Sequence, residues 1–579
     1  MFNVEQVIQQ QMPGISSKPW LYKPVKGALS YLLHEQEFVA FSQQYPHLQG
    51  LDFVEQVLNY FNFSYSARDN EIARIPASGK VVIIANHPIG SLDGLALIKL
   101  ISEIRPDVKI IANQLLMSVT ALHCLLLPVN NMEGGTERNR LSEIRRHLQQ
   151  DGALVLFPAG EVSRLKPNGV RDGKWHNGFL RFATGAKAPI LPIYIDGRNS
   201  ALFYGASMLY KPLATMLLVQ EMFKQQRKNI TMRIGEQIPF DSYGQLPLST
   251  KEQLKLFKKH LYRLAKDKAP LLRTQSTIAH PELRSELKAD LTQCQQLGTT
   301  SDGKLIYLYH HKQSSALMRE IGRLRELAFR AVGEGTGNKR DIDKYDSYYH
   351  HLILWDPAEL EMVGAYRLAP SGDIIRSSGV SGLYTASLFR YNQTMQPYLE
   401  QGLELGRSFI QPRYWGKRSL DYLWYGIGAY LQHNPQIRYL FGAVSISASY
   451  PQTARDLLVY FYSLYFGADQ VLLQANQPYL LSDEQRHHLQ SQFSGTDYTA
   501  DFTQLKHLLA NMGLSVPTLY KQYSELCQPG GASFLAFSTD PAFADCVDGL
   551  VLVDLQQLKP AKQARYLTQA ASKRNVKAV

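Results

Sequence analysis

The sequence has few cysteines and no closely spaced pair of them, which excludes two classes of protein. The four cysteines, Cys124, Cys294, Cys527 and Cys546, lie far apart and form no C-x-x-C pair. Disulfide frameworks and zinc sites both need patterned cysteines. We therefore expect no disulfide and no bound metal, as is typical of a protein of the reducing cytoplasm.

Long apolar runs are also missing. A spanning helix needs about 18 or more uncharged apolar residues, and the nearest candidate, Leu115 to Val129, is short and carries His123. The N-terminal segment lacks the charged start, apolar run and small-residue cleavage site of a secretory signal. These absences predict a protein that stays in the cytoplasm and at most lies on a membrane surface.

No dense run of lysine and arginine occurs, although the net charge is +12 and the pI is near 9.2. The basic residues are scattered among acidic ones, and we find neither a zinc finger nor an RNA-binding signature. We therefore expect no nucleic-acid partner. A basic balance instead favours lipid head groups, an acidic carrier protein or a phosphorylated substrate.

The length and the change of pattern along the chain predict two domains. With 579 residues, the chain is too long for one hydrophobic core. Residues 80–195 alternate β-branched runs with helical stretches, which is typical of an α/β domain with a mainly parallel sheet. Later strands include antiparallel pairs separated by helices. We predict two different α/β domains, residues 1–272 and 286–579, joined by a linker at 273–285.

The segment NHPIGSLDG, Asn86 to Gly94, follows a predicted buried strand. Open α/β sheets bind their ligands at such carboxyl ends of strands. A carboxylate that holds an imidazole lets the imidazole take a proton from a hydroxyl nucleophile. We therefore predict His87 and Asp93 as catalytic residues. An isolated histidine–aspartate pair is more often a helix-capping residue and a turn residue. Whether His87 and Asp93 are catalytic therefore depends on the surrounding motifs.

Those motifs make residues 80–240 resemble the glycerol-phosphate acyltransferase family, whose members acylate lysophospholipids and related alcohols. Four segments carry the resemblance in the family's order: NHPIGSLDG, LLLPVNNMEGG around Pro128, LFPAGEVSR at 156–164 and KAPILPIYI at 187–195. The resemblance implies that the acceptor or the thioester donor is bound by a set of residues near the histidine: Asn86, Pro158, Gly160, Glu161 and Arg164. For Glu161 and Arg164, a surface salt bridge is the alternative.

Two departures from the family pattern point to one of its branches. Five residues separate His87 from Asp93 instead of the commoner four, and Ala159 stands where a glutamate is usual, with Glu161 close by. These features, together with GRNS at 197–200, resemble a hemolysin-like branch associated with ornithine lipids. The resemblance implies a substrate without glycerol phosphate. The segment 199–224 is helical in period and either packs on the sheet or lies flat on a membrane.

The second half resembles ornithine N-acyltransferases and acyl-homoserine-lactone synthases, which belong to the acetyltransferase-like (GNAT-type) superfamily. RLRELAFR, DIDKYDSYYHHLILW, GAYRLAP and LELGRSFIQPRYWGKRS follow in the expected order within 304–466. The resemblance implies acyl transfer from a phosphopantetheine-linked acyl carrier protein to the amine of ornithine, with no bound cofactor. A basic loop before a predicted helix is the expected donor site: Arg413, Gly416, Lys417 and Arg418.

The N-acyl transfer site needs a base and groups that bind a small amino acid. We predict Glu404 as the base, and pairing with its neighbour Arg407 as the structural alternative. Asp343 and Asp346 would hold an ammonium group, or else cap a loop. Arg367 would bind a carboxylate, and Arg407 is also predicted to contact the substrate. The segment GEGTG at 333–337 mimics a nucleotide loop, but no strand precedes it, so we expect only a mobile loop there.

Together the two resemblances predict one enzyme with two acyltransferase activities, peripheral on the inner face of the cell membrane. The second half would N-acylate ornithine with a 3-hydroxyacyl chain, and the first half would O-acylate the new hydroxyl. One alternative is a lysophospholipid acyltransferase with a non-catalytic C-terminal binding module. Another is a peripheral membrane protein that has kept the folds without the activities.

Overall fold

The computed structural model describes residues 19–32, 34–90, 92–112, 119–128, 138–209, 211–311 and 315–568. The chain forms two compact units, Met1–His280 and Pro281–Val579. The predicted linker is not a free spacer, because its first half is bound to the first unit. Thr277 Oγ1 donates a hydrogen bond to the carbonyl of Arg74 (2.7 Å), and His280 contacts the carbonyl of Ile75 (2.8 Å).

The first unit is built on a seven-stranded sheet in the order β1-β9-β8-β2-β5-β3-β4, and a short hairpin (β6, β7) lies outside it. All pairs in the sheet are parallel except β8 with β9. The strands are β1 (Ser64–Ser66), β2 (Val81–Ala85), β3 (Lys109–Ala112), β4 (Leu126–Pro128), β5 (Ala153–Leu156), β6 (Arg164–Lys166), β7 (Gly169–Arg171), β8 (Ile190–Asp196) and β9 (Asn229–Ile234).

Helices cover both faces of this sheet. They are α1 (Pro19–Leu32), α2 (Glu35–Gln44), α3 (Gly50–Tyr60), α4 (Asp69–Ile72), α5 (Leu92–Ser102), α6 (Arg138–Gln149), α7 (Gly178–Ala186), α8 (Ala201–Leu209), α9 (Lys211–Lys224) and α10 (Thr250–Leu264). Strand β2 is buried along its whole length. Such a continuous apolar run is expected of a parallel strand that helices cover on both sides.

The segment 199–224 contributes α8 and α9, and several of its described apolar residues pack inward. Phe203 is fully buried, and Leu217 and Leu218 pack against the cluster that it forms with Val162. Leu202 has 62 % of its surface exposed. Core packing therefore accounts for Phe203, Leu217 and Leu218, and Leu202 faces solvent. Among the residues that the structure describes, no helix has the length and apolar character needed to cross a membrane.

The second unit is a different α/β fold, built on an eight-stranded sheet in the order β10-β11-β12-β13-β15-β16-β19-β18, with a separate pair β14-β17. Its strands are β10 (Gln295–Thr299), β11 (Leu305–His310), β12 (His350–Asp356), β13 (Glu361–Pro370), β14 (Phe389–Tyr391), β15 (Gly402–Ile410), β16 (Tyr439–Ile446), β17 (Leu473–Ala475), β18 (Ala532–Asp540) and β19 (Cys546–Asp554). The prediction of two different α/β domains is confirmed.

The helices of the second unit are α11 (Arg284–Leu291), α12 (Ala316–Ala331), α13 (Ser371–Ser378), α14 (Gln396–Glu400), α15 (Ser419–His433), α16 (Gln452–Phe466), α17 (Asp483–Gln490), α18 (Tyr498–Asn511), α19 (Thr518–Ser524) and α20 (Pro560–Gln563). The residues after 497 add α18, α19, β18 and β19, and the two strands belong to the same sheet, so this tail is part of the second unit.

The central strands β15 and β16 separate part-way along the sheet. They pair in parallel only over Gly402–Glu404, opposite Tyr439–Phe441. Beyond that point β15 stays with β13, and β16 stays with β19. A bulge assists the separation, because Arg407 and Ser408 of β15 stand opposite the single residue Tyr366. The result is an opening in the middle of the sheet.

Candidate functional site

His87 and Asp93 lie together at the carboxyl end of β2. The Nδ1 atom of His87 is 3.2 Å from Oδ2 of Asp93. The turn between them brings the carboxylate back because Gly90 adopts φ +124°, a conformation that residues with a side chain rarely take. The sequence prediction therefore places these two side chains correctly relative to each other.

Asp93 is fixed by the start of helix α5 rather than by other side chains. It is fully buried, and its carboxylate accepts hydrogen bonds from the backbone N–H groups of Ile89 (2.9 Å), Gly90 (3.1 Å) and Gly94 (2.9 Å). Burial alone would raise the pKa of this carboxyl. His87 and the backbone donors outweigh burial and hold the pKa below its ordinary value. Asp93 thus stays charged beside the imidazole.

The imidazole of His87 is held by ring stacking, and one of its nitrogens stays available for proton transfer. Its ring stacks on Phe157, with centroids 4.0 Å apart. Burial lowers the pKa of His87, but the Asp93 charge and contact raise it more, so the net pKa lies above the ordinary value. With Nδ1 turned to Asp93, Nε2 is the nitrogen left to act as a base. Within the described residues, no hydrogen bond to Nε2 is formed.

A second buried carboxylate, Asp172, supports the same loop, and sequence reasoning missed it. It accepts hydrogen bonds from the Ser163 hydroxyl (2.6 Å) and the Trp175 indole (2.8 Å). The Ser163 N–H donates to the carbonyl of His87 (2.7 Å). Asp172 also raises the pKa of His87 through its charge. An aspartate in the turn sequence RDGKW resembles an ordinary loop residue, so no motif marked it.

Asn86 and Asn199 hold the histidine loop to the neighbouring strand. The Asn86 side-chain amide donates to the carbonyl of Ile195 (2.8 Å) and accepts from its N–H (2.7 Å). Asn199, within the GRNS segment, donates to the carbonyls of Pro88 and Ile89 (3.3 and 3.0 Å). Both side chains therefore position backbone. The substrate-binding role of Asn86 stays a prediction, and the bonds that its side chain makes are to backbone.

The third motif lies beside the histidine. Pro158 is buried and its carbonyl accepts from the N–H of His176 (2.8 Å), while Gly160 turns the chain at φ +62°. Glu161 is partly buried near Gly173. Arg164 donates to the Ser207 hydroxyl (2.5 Å) and lies over the ring of Phe203. The second motif falls mainly at residues 129–137, outside the described residues.

In the second unit, the predicted ligand-binding charges form a buried ion network instead of an open site. Asp346 lies 2.8 Å from Arg325 and 3.0 Å from Arg367, and Arg367 also contacts Asp343 (2.6 Å). These cations lower the pKa of Asp346, against burial. Asp343 also caps the 3₁₀ turn that contains Tyr345. The capping alternative therefore describes the two aspartates. Arg367 contacts them through Nη1, while its Nε and Nη2 are buried without a hydrogen-bond partner among the described residues.

Glu404 is buried with both carboxylate oxygens already bonded. It accepts from the hydroxyl of Tyr349, from the N–H and hydroxyl of Thr385 (2.7 and 2.6 Å) and from the N–H of Tyr384 (3.3 Å). Arg407 is not its partner either, because that guanidinium lies 3.2 Å from Asp341. Each oxygen of the Glu404 carboxylate is therefore engaged by neighbouring donors. The geometry gives Glu404 a structural role rather than that of a base.

A cavity of about 100 Å³ lies where β15 and β16 separate, and it contains ionisable groups that the sequence did not reveal. Arg407 lines it in a left-handed conformation, φ +47°, and donates to the Tyr384 hydroxyl (3.1 Å). Glu334 and Asp548 line it too. Burial raises the pKa of Glu334 to about 7 and that of Asp548 to about 6. A lone carboxylate in the apolar strand CVDGLVLV was the available signal.

The predicted donor loop lies between β15 and α15, at the opening of the sheet. Arg413 contacts Glu359 (3.2 Å) and Glu361 (2.7 Å), and Gly416 turns at φ +73°. Lys417 lies over the Tyr414 ring, and Arg418 precedes α15. No side chain caps the first turn of α15, so its N–H groups have the arrangement that binds phosphate at the N-termini of helices in general.

Comparison with known proteins agrees with this division of the chain. The family model described as Acyltransferase matches residues 12–269, and the model described as Acetyltransferase (GNAT) domain matches residues 324–425.

Three relatives carry the comparison further. The glycine N(alpha)-acyltransferase of Bacteroides thetaiotaomicron is 32 % identical over 305 residues, which is 50 % of this chain and 89 % of that protein. The lyso-glycine lipid O-acyltransferase of the same organism is 28 % identical over 253 residues, 42 % of this chain and 90 % of that protein. The L-ornithine N(alpha)-acyltransferase of Rhizobium meliloti is 34 % identical over 136 residues, 22 % of this chain and 44 % of that protein.

The two sites and these matches lead to the same conclusion. One unit holds a histidine and an aspartate arranged for transfer to a hydroxyl, and the other has the separated strands of a GNAT-type fold. The chain is an enzyme with O- and N-acyltransferase activities. It belongs to the family of the bacterial glycine N(alpha)-acyltransferases and carries in the same polypeptide an Acyltransferase-family domain, which makes it a two-domain lipid acyltransferase.

Proposed function

We propose that the chain makes a diacylated amino-acid lipid in two steps, as a bifunctional ornithine lipid synthase would. The second unit transfers a 3-hydroxyacyl group from acyl carrier protein to the α-amine of a small amino acid. The first unit then acylates the hydroxyl of that chain. The observation that carries this proposal is the presence of two separate acyl-transfer sites in one chain, one built for an alcohol and one in a fold used for amines.

The O-acyl step follows from the orientation of His87. Its Nε2 takes the proton of the lyso-lipid hydroxyl while Asp93 stabilises the imidazolium. The hydroxyl oxygen attacks the thioester carbonyl, the C–O bond forms and the C–S bond breaks. The imidazolium then gives its proton to the leaving thiolate. The first step supplies the very hydroxyl that the second step needs, so the two activities belong to one product.

The amino acid is proposed to be ornithine or glycine. Ornithine is the expectation from the motifs, and three relatives named L-ornithine N(alpha)-acyltransferase match. Glycine is favoured by the longer matches to proteins named glycine N(alpha)-acyltransferase. A direct competition between the two amino acids at equal concentration, with the N-acyl products separated by mass, decides between them.

The donor is proposed to be acyl carrier protein rather than free coenzyme A. Lys417 and Arg418 are exposed at the mouth of the opened sheet, and the net charge of the chain is +12. Both features favour an acidic protein partner. We also propose that the chain lies on the inner face of the membrane, where its lipid product belongs. The exposed side chain of Leu202 would then supply an apolar contact with the membrane surface.

The test uses the purified full chain with two donors that differ in one oxygen. With 3-hydroxyacyl carrier protein and the amino acid, we expect a mono-acylated product followed by a diacylated one. With an acyl carrier protein whose chain lacks the 3-hydroxyl group, only the mono-acylated product should form, because no hydroxyl exists for the second transfer. Absence of any N-acyl product, with acylation of a lysophospholipid instead, would overturn the proposal.

A further inference from the structure

The cavity between β15 and β16 contains two carboxylates, Glu334 and Asp548, that form no ion pair with the described residues. Asp548 is 2 % exposed and stands opposite Ser445 in the β16–β19 pair. The Ser445 hydroxyl donates to its Oδ1 (2.6 Å). Its Oδ2 has no hydrogen-bond partner among the described residues, and the side chain lines the cavity. Glu334 lines the same cavity, and its charge interacts with that of Asp548.

The loop that carries Glu334 is fixed rather than mobile. Glu326, which is fully buried on α12, accepts hydrogen bonds from the N–H groups of Thr336 (3.0 Å) and Gly337 (2.9 Å). The Glu334 N–H is itself bonded to the carbonyl of Phe329 (2.8 Å). The GEGTG segment therefore holds a carboxylate at the cavity, which corrects the expectation of a mobile loop.

The positive charge of Arg407 at the cavity is already balanced by two aspartates of the ion network. Arg407 lies 3.2 Å from Asp341 and 3.6 Å from Asp343, on the side of the ion network. Adding Glu334 and Asp548 leaves the cavity with an excess of negative charge. A pocket of this kind stabilises a small cation and, once the cation binds, favours the ionised form of its carboxylates. An amino acid brings such a cation as its α-ammonium group.

We propose that this cavity binds the α-ammonium group of the amino-acid substrate and that Asp548 is the base that removes its proton, with Glu334 as the second anion that holds it. This inference rests on the proposed N-acyl transfer. Asp548 takes one proton from the ammonium group, and the freed nitrogen attacks the thioester carbonyl. The C–N bond forms, the C–S bond breaks, and the thiolate takes the second proton of the nitrogen. Amide and thiol result, and Asp548 returns its proton to solvent.

Several titratable groups face Asp548 and set the pH at which it loses its proton. Glu334 lies in the loop after α12, Arg407 in β15 and Asp540 at the end of β18. Cys546 lies in β19, Tyr520 in α19, and Tyr384 in a turn that lines the cavity. Burial has the largest influence on the pKa of Asp548 and raises it. The charge of Asp540 also raises this pKa, whereas the Ser445 hydrogen bond and the charge of Arg407 lower it. The resulting pKa of about 6 suits a base that works near neutral pH.

The first test compares N-acylation by the full chain and by Asp548→Asn, using 3-hydroxyacyl carrier protein and the amino acid. We expect kcat/KM for the amino acid to fall at least about 100-fold, and the wild-type rise in rate between pH 5 and 7 to disappear. The matched control is Asp545→Asn, an exposed aspartate three positions away in the turn that precedes β19, which should keep wild-type rates.

Folding of the variant is checked independently. O-acylation of a synthetic N-acyl amino acid reports on the first unit, and the melting temperature reports on the second. Because the pKa of Asp548 is raised, its charge opposes folding above about pH 6, so Asp548→Asn should melt no lower than wild type at pH 8. Glu334→Gln, on a partly exposed loop, is a second variant, and we expect it to raise KM for the amino acid about tenfold.

The outcomes separate the two proposals. If wild-type protein forms no N-acyl product, the proposed function fails. If wild type is active and Asp548→Asn keeps its rate and its pH profile, the assignment of the base is wrong while the function stands. If Asp548→Asn loses N-acylation and Glu334→Gln raises KM for the amino acid, with unchanged O-acylation and no lower melting temperature, the cavity is the ammonium site.

Discussion

Nδ1 of His87 lies 3.2 Å from Oδ2 of Asp93, and three backbone N–H groups, two in the turn before α5 and one in its first turn, hold that carboxylate in place. Asp93 fixes which imidazole nitrogen carries the proton, and it stabilises the imidazolium that forms during transfer. In Asp93→Asn, the amide keeps the size but not the charge. We expect the rate of O-acylation to fall about 100- to 10,000-fold, measured with a synthetic lyso-lipid, while the exposed control Asp241→Asn changes nothing.

The pH dependence of O-acylation should follow the ionisation of His87. Burial lowers the pKa of His87, but Asp93 raises it by more, so the net pKa lies above the ordinary 6.5. Since the base must be neutral, the rate should fall as the pH drops through this raised value. In Asp93→Asn the effect of burial remains without the charge, so the acid limb of kcat/KM should move to lower pH. An unmoved limb would show that another group titrates.

Gly90 is required by the turn that joins the two residues. Its φ is +124°, and a Cβ there would lie 3.3 Å from both Leu218 and Val162. We expect Gly90→Ala to strain the turn by about 1–3 kcal/mol, to lower the melting temperature and to reduce O-acylation. Gly185→Ala is the matched control, because it lies in helix α7 with open space around it and should be neutral or slightly stabilising. Equal behaviour of the two variants would contradict the argument.

Glu404 should behave as a structural residue. In Glu404→Gln, the side-chain NH₂ group would face donors from Tyr349, Tyr384 or Thr385, so buried hydrogen bonds are lost. We expect a loss of stability of about 1–3 kcal/mol, with the acid limb of N-acylation unchanged in the protein that remains folded. Glu400→Gln, on the exposed end of α14, serves as the control. A shifted pH profile without loss of stability would restore Glu404 as the base.

The sequence was most informative where function depends on neighbours in the chain. The run VVIIA predicts the buried strand β2, and NHPIGSLDG then places His87 and Asp93 within one turn at its end. Local periodicity and local motifs are enough for features of this kind.

The remaining parts of both sites depend on contacts between distant segments. Asp548 acquires its environment from Ser445, 103 positions away, and Glu404 is bonded to Tyr349, 55 positions away. Whether a carboxylate is free or fully bonded is decided by such contacts, and no spacing rule encodes them. For this reason the sequence identified Glu404 as the base, whereas the structure places Asp548 at the cavity.

The most direct test of the two-step account is mass spectrometry of the lipids of a host cell that expresses the full chain, His87→Ala or the exposed-histidine control His47→Ala. The wild type and His47→Ala should produce a diacylated amino-acid lipid whose mass gives the head group and the sum of the two chains. His87→Ala should accumulate the mono-acylated 3-hydroxyacyl intermediate instead. A diacylated lipid at the wild-type level in His87→Ala cells, without the intermediate, would contradict the account.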